Sequence, residues 1–224
     1  MYNVLAVTNR HLCKGDFLEQ IKKICLLNQQ ITNDNRNNND INNNLYETDT
    51  NTSYNNLKNI NSISILLREK DLSEDDYEKL AVKVIKICKE YNTECILHTY
   101  FKTAKKLAVR KIHLPLSVLK NNQNLIYDFD SVGVSIHSLD DAVEAQKLGA
   151  SYMTAGHIFA TDCKKGIPGR GLSFLENIIN HADVPVFAIG GIVSSNIKDV
   201  INCGASGICI MSGLMNIAQP EDFF

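Results

Sequence analysis

Eight short apolar runs, separated by stretches of helical periodicity, leave this chain few folds to choose from. The runs are Asn3–Thr8, Ser62–Leu67, Glu94–His98, Lys111–Leu114, Ser131–Ile136, Ser151–Ala155, Pro185–Ile189 and Gly207–Met211. Most are β-branched and apolar throughout, as strands covered on both faces are. The intervening helical stretches are Asp16–Leu27, Ser73–Tyr91, Tyr100–Val109, Leu116–Asn122, Ser138–Leu148, Leu172–His181 and Ser194–Cys203. Ser73 and Ser138 stand at N-cap positions, and Gly149 and Gly204 follow the ends of two helices. Strict alternation implies a parallel sheet. Eight units in 224 residues predict an α/β fold, a single (β/α)8 TIM barrel spanning residues 1–224. The alternative is an open doubly wound sheet, but no G-x-G-x-x-G follows the first run.

Two stretches depart from the pattern. From Asn28 to Asn61 roughly two residues in five are Asn. So polar a tract buries too little apolar surface to offset its ordering entropy. It is expected to be a disordered insertion between the first helix and the second strand, at the barrel end away from the usual chemistry. The other departure is Pro220–Phe224, where an eighth helix has barely begun. A truncated last helix leaves an apolar seam and exposes Phe223 and Phe224, which predicts a homo-oligomer, most simply a dimer.

Composition excludes several function classes. A net charge of −2 offers no bulk attraction to nucleic acid. No run of 18 apolar residues suggests a membrane span, and the N-terminus enters a strand-like run without a signal-peptide pattern. Seven cysteines lack any C-x-x-C spacing and mostly sit in apolar runs, as buried thiols of a cytoplasmic protein do.

In such barrels the chemistry sits where strands end and the following loops begin. After the seventh run comes Gly190-Gly191, and after the eighth Ser212-Gly213. Glycines let backbone approach an anion, and N–H groups at a helix start point toward it. Arg68 and Lys70 follow the second run, and Lys164 and Lys165 lie in the long loop Gly156–Gly171. Cations converging on one rim suit an anionic ligand. His137 directly follows the fifth run, and its class suits proton transfer near neutral pH. Ser135 on the same run and Thr161 in the long loop join the candidate binding set. His157 is the second candidate acid–base, whereas His113, among apolar neighbours, reads as a core or rim residue.

The motifs LLREK (Leu66–Lys70), VSIHS (Val134–Ser138), GHIFATDCKKGIPGRG (Gly156–Gly171), AIGGI (Ala188–Ile192) and GICIMSG (Gly207–Gly213) together resemble the thiamine phosphate synthase/TenI superfamily. The synthase branch joins a pyrimidine diphosphate to thiazole phosphate with Mg²⁺. It carries Asn-Asp after strand three and Gly-Gln-x-Asp after strand four. This chain has Leu97-His98-Thr99 and His113-Leu114-Pro115-Leu116-Ser117-Val118 there, without either aspartate. The loop Thr161–Gly166 instead resembles that of thiazole tautomerases, which bring a non-aromatic thiazole carboxylate phosphate to its aromatic form. That resemblance implies a cofactor-independent isomerase with His137 as acid–base. Arg68, Lys70, Ser135, Thr161, Lys164, Gly190, Gly191, Ser212 and Gly213 would hold the phosphorylated thiazole. No resident metal is expected, Mg²⁺ being needed only by a synthase. The alternatives are that synthase, or a regulator that binds thiazole phosphate without turnover.

Overall fold

A computed structural model describes residues 1–40 and 57–224. Its eight strands are β1 (Tyr2–Val7), β2 (Ile60–Leu67), β3 (Cys95–His98), β4 (Lys111–Pro115), β5 (Ser131–Ile136), β6 (Tyr152–Gly156), β7 (Val186–Ile189) and β8 (Gly207–Ile210). Each pairs in parallel with the next, and β8 pairs back to β1, closing the barrel. The helices are α1 (Phe17–Asp40), α2 (Glu74–Glu90), α3 (Phe101–Lys106), α4 (Leu116–Asn121), α5 (Leu125–Asp128), α6 (Leu139–Lys147), α7 (Gly171–Ile179), α8 (Ile197–Asn202) and α9 (Ser212–Met215). Two of the expected caps form: Ser73 Oγ accepts from Asp76 N at 3.2 Å, and Ser138 Oγ accepts from Asp141 N at 3.0 Å.

Strand alternation divides the core into two shells. Val4, Ala6, Ile63, Ile65 and Leu67 face outward and pack with Ile21, Ile24, Ala81 and Val84 of α1 and α2. Leu5, Val7, Leu66, Ile96, Tyr152, Phe187 and Cys209 fill the barrel interior. Two glycines make room for the interior rings. A Cβ on Gly133 would lie 2.0 Å from Cζ of Tyr152, and one on Gly207 would lie 2.5 Å from Cε1 of Phe187.

The Asn-rich tract is corrected at both edges. Residues Asn28 to Asp40 continue α1 as regular helix, and Ile60 and Asn61 already belong to β2. Asn28 is buried; its Oδ1 accepts from Ile63 N at 2.7 Å, and its Nδ2 donates to Thr93 Oγ1 at 3.0 Å. One turn on, Ile31 is buried, and Asn35 Nδ2 donates to the Ile60 carbonyl at 3.0 Å. An amide that caps strand ends substitutes for the apolar surface that the composition lacks. The remainder of the tract, 41–56, lies outside the described residues.

The expected exposure of Phe223 and Phe224 is also corrected. Both are buried within the one chain. The turn Pro220–Phe223 folds back against α1 and α9. There Phe223 lies so close to Gly213 that a Cβ would meet its ring at 2.1 Å. The two rings pack edge-to-face at 5.2 Å. Among the described residues no helix is long and apolar enough to cross a membrane.

Candidate active site

A cavity of about 1400 Å³ opens over the C-terminal ends of the strands. All ten residues singled out from the sequence line it: Arg68, Lys70, Ser135, His137, Thr161, Lys164, Gly190, Gly191, Ser212 and Gly213. Residues from distant parts of the chain meet there because every strand of a parallel barrel delivers its C-terminal end to one rim.

His137 leaves β5 where the chain turns into α6. Its backbone N donates to Asp141 Oδ2 at 2.7 Å, so the cap of α6 also fixes the histidine. The ring Nδ1 lies 2.9 Å from the Gly156 carbonyl on β6. A carbonyl can only accept, so Nδ1 carries the hydrogen, and Nε2 of the neutral ring keeps a free lone pair. That is the tautomer a general base needs.

Of the cations around the mouth, Lys120 pairs with Glu144 at 2.8 Å, and four others are left without ion pairs among the described residues. Arg68, Lys70, Lys164 and Lys165 all line the cavity, and none makes an ion pair among the described residues. Burial holds the Arg68 guanidinium below its ordinary pKa. Burial, then the neighbouring charges of Arg68 and Lys164, lower Lys70. Glu69, between the two, faces away and accepts from Thr8 Oγ1 at 2.7 Å and Arg10 Nη1 at 3.1 Å. An anion entering the cavity would relieve the repulsion that these groups feel in its absence.

The glycine turn works partly as expected. Gly190 and Gly191 have φ of 101° and 67°, which favour glycine. A Cβ on Gly191 would sit 2.4 Å from the Ala160 carbonyl, so the turn lies directly under the long loop. The N–H groups of Gly191, Ser212 and Gly213 make no hydrogen bond among the described residues. Gly213 has a second reason to be glycine, the Phe223 ring beside it. The long loop is stitched to β7 by Ile158 N to Ile189 O (2.9 Å) and Phe159 N to Gly190 O (3.0 Å). It is closed on itself by Gly171 N to Ile158 O (2.8 Å). Residues Ala160 to Ile167 border the cavity. His157 is buried at the root of this loop: Nε2 donates to the Ile167 carbonyl at 3.2 Å, and Nδ1 has no partner among the described residues.

Sequence reasoning missed the polar floor. His98 and Thr154 line the cavity, with His113 and Tyr152 behind them. Burial, then the charges of Arg68 and Lys70, push His113 down to about 3. Burial first, then His113, Arg68 and Lys70, depress His98 well below its ordinary value. Both rings are neutral at pH 7. Inward parity on β3, β4 and β6 was the available signal, obscured by the apolar residues alternating with them.

No carboxylate lines the cavity just after β3 or β4, where the synthase pattern carries its aspartates. Mg²⁺ takes oxygen ligands, commonly one or two carboxylates beside substrate phosphates. The carboxylates lining the cavity are Asp141, already accepting from His137 N, and Asp162 on the loop. Among the described residues no group of three or more His, Cys, Asp or Glu side chains is placed to hold a metal.

A closed parallel barrel with a cationic cavity above its strand ends is the TIM-barrel class. Residues 42–214 match the family model described as thiamine monophosphate synthase. The chain belongs to that family, within the thiamine phosphate synthase/TenI superfamily, and so to the enzymes of thiamine biosynthesis. It is 32% identical to a thiamine-phosphate synthase of Fusobacterium nucleatum over 154 residues, 68% of this chain and 75% of that one. It is also 32% identical to one of Clostridium acetobutylicum over 160 residues, 70% and 76% of the two chains. A thiamine phosphate pyrophosphorylase from Pyrococcus furiosus shares the fold, with a TM-score of 0.69 at 21% identity over 99% of this chain and 91% of that one.

Proposed function

We propose that this protein is a metal-independent thiazole tautomerase, converting a non-aromatic thiazole carboxylate phosphate to its aromatic isomer. The observation that carries this reading is His137, which lines the cavity with its Nδ1–H tied to the Gly156 carbonyl, leaving Nε2 as the base. Nε2 takes the proton from the ring carbon that bears the carboxylate. The electron pair moves through the ring toward the exocyclic double bond, and the exocyclic carbon takes a proton from the imidazolium. One C–H bond breaks, one forms, and aromaticity drives the exchange. Gly190, Gly191, Ser212 and Gly213 offer backbone to the phosphate, Thr161 borders it from the loop, and Arg68, Lys70 and Lys164 supply charge for phosphate and carboxylate. Since the phosphate is bound alike before and after the proton moves, those groups serve binding more than rate.

A second reading, thiamine-phosphate synthase, is favoured by the names of the relatives at 32% identity. Against it stands a cavity whose cations outnumber its carboxylates and whose lining has no carboxylate just after β3 or β4. One assay separates the two: each substrate set, with EDTA and with Mg²⁺. The tautomerase reading expects aromatisation in EDTA at the rate seen in Mg²⁺. Condensation of pyrimidine diphosphate with thiazole phosphate, abolished by EDTA, would replace it.

A further inference from the structure

The polar floor of the barrel has a direction. β4, β5 and β6 lie side by side, and their inward positions hold His113, Ser135, Tyr152 and Thr154. His113 Nδ1 is 3.1 Å from the Tyr152 hydroxyl, and His113 Nε2 is 2.9 Å from Ser135 Oγ. Tyr152 lies across β5 in the gap that Gly133 leaves, buried, and its hydroxyl has no other partner among the described residues. Its hydrogen therefore goes to Nδ1, since a buried donor left unmade is the expensive alternative. Nδ1 is then an acceptor, and the single hydrogen of a neutral imidazole sits on Nε2. It is donated to Ser135 Oγ. Thr154 Oγ1 lies 3.4 Å from both His113 Nε2 and Ser135 Oγ, so it takes the longer share of the Nε2 hydrogen and can give its own to Ser135. Ser135 Oγ thus accepts from below, and when Thr154 donates to it the Ser135 hydrogen is left for an acceptor in the cavity. Ser135 lines the cavity two residues before His137, on the same side of β5.

We propose that Tyr152 and His113 are positioning residues that make the Ser135 hydroxyl a one-way hydrogen-bond donor, which recognises a hydrogen-free acceptor on the heterocyclic end of the substrate, a ring nitrogen or a carboxylate oxygen. The inference rests on the cavity holding a phosphorylated thiazole, as proposed above. It assigns the floor a task distinct from the cationic rim: the rim recognises charge, and the floor recognises which edge of the ring faces His137.

The direction of the chain is read on the ligand-free protein by ¹⁵N NMR of the full chain labelled in histidine, with the His113 ring identified by its response to Tyr152→Phe. The proposal expects a protonated Nε2 and an unprotonated Nδ1 at neutral pH. A protonated Nδ1 would overturn it, and a wrong choice of substrate would not touch this result. The task is then read by calorimetry with thiazole phosphate and with its carboxylate. Ser135→Ala should weaken the ligand bearing the contacted acceptor by about tenfold, the worth of one hydrogen bond. A loss for both ligands identifies the ring nitrogen, and a loss for the carboxylate alone identifies that group. Tyr152→Phe keeps the ring in place and should weaken binding several-fold in the wild-type background. In the Ser135→Ala background it should cost nothing further. Equal, additive losses in both backgrounds would mean that Tyr152 acts by packing, and would overturn the positioning role.

Discussion

Among the described residues, most of the cations lining the cavity lack the ion pairs that three cations at the other end of the barrel make. At the N-terminal end, cations are matched: Lys111 Nζ meets Glu94 Oε1 at 2.6 Å, Arg110 Nη2 meets Asp130 Oδ1 at 2.6 Å, and Lys105 Nζ meets Asp128 Oδ2 at 3.0 Å. At the C-terminal mouth Arg68, Lys70, Lys164 and Lys165 have no such partners among the described residues. The contrast holds even within three consecutive residues, where Glu69 pairs with Arg10 and leaves its neighbours unmatched. Four unpaired cations converging on one cavity suit an anion that arrives from solution.

The comparison is sharpened by mutation. The largest effect is expected at His137→Asn. A positioned general acid–base group contributes about 10²–10⁴-fold, so turnover should fall by that order while binding of the aromatic product is kept. Steady-state kinetics beside calorimetry would check the split. Next comes Arg68→Ala, which should weaken a phosphorylated thiazole by about 10–100-fold, the range of a hydrogen bond to a charged group. It should leave the melting temperature unchanged or higher, because a half-buried unpaired charge is lost.

A third variant probes the closed end. Asn28→Ala removes the acceptor for the buried Ile63 N–H and should lower stability by about 1–3 kcal/mol, with turnover unchanged. Urea unfolding would measure it. The smallest effect belongs to Arg110→Ala, an exposed pair at that same end. Turnover and ligand affinity should stay within about twofold of wild type. If Arg110→Ala and Arg68→Ala weaken the ligand alike, the contrast between the ends carries no functional meaning.

Strand order and the cavity lining were legible because both follow from local signals. A β-branched run marks a strand, and in a parallel barrel the residue just after it stands at the mouth. That rule alone brings together Arg68, His137, Gly190 and Ser212, which lie far apart in sequence. The end of α1 was hidden because composition drowned periodicity. Ile24, Asn28, Ile31 and Asn35 recur at helical spacing, yet two of the four are polar and the neighbourhood reads as low complexity. Asn there works as a cap for β2, a role that depends on where the strand end lies. The Tyr152–His113–Ser135 chain was hidden for a related reason. It needs the register of three strands and the missing Cβ of Gly133, and neither is a local property. The C-terminal turn misled because Phe223 and Phe224 look stranded until Gly213 is seen to leave a slot for a ring.

The central claim is that the unpaired mouth and His137 together move a proton on a phosphorylated thiazole without a metal. The most direct measurement is NMR of the non-aromatic thiazole carboxylate phosphate with the full chain in D₂O and EDTA. The account predicts an aromatic product, formed as fast as with Mg²⁺ added. No aromatisation above the uncatalysed rate, with turnover appearing only when Mg²⁺ and a pyrimidine diphosphate are supplied, would contradict it.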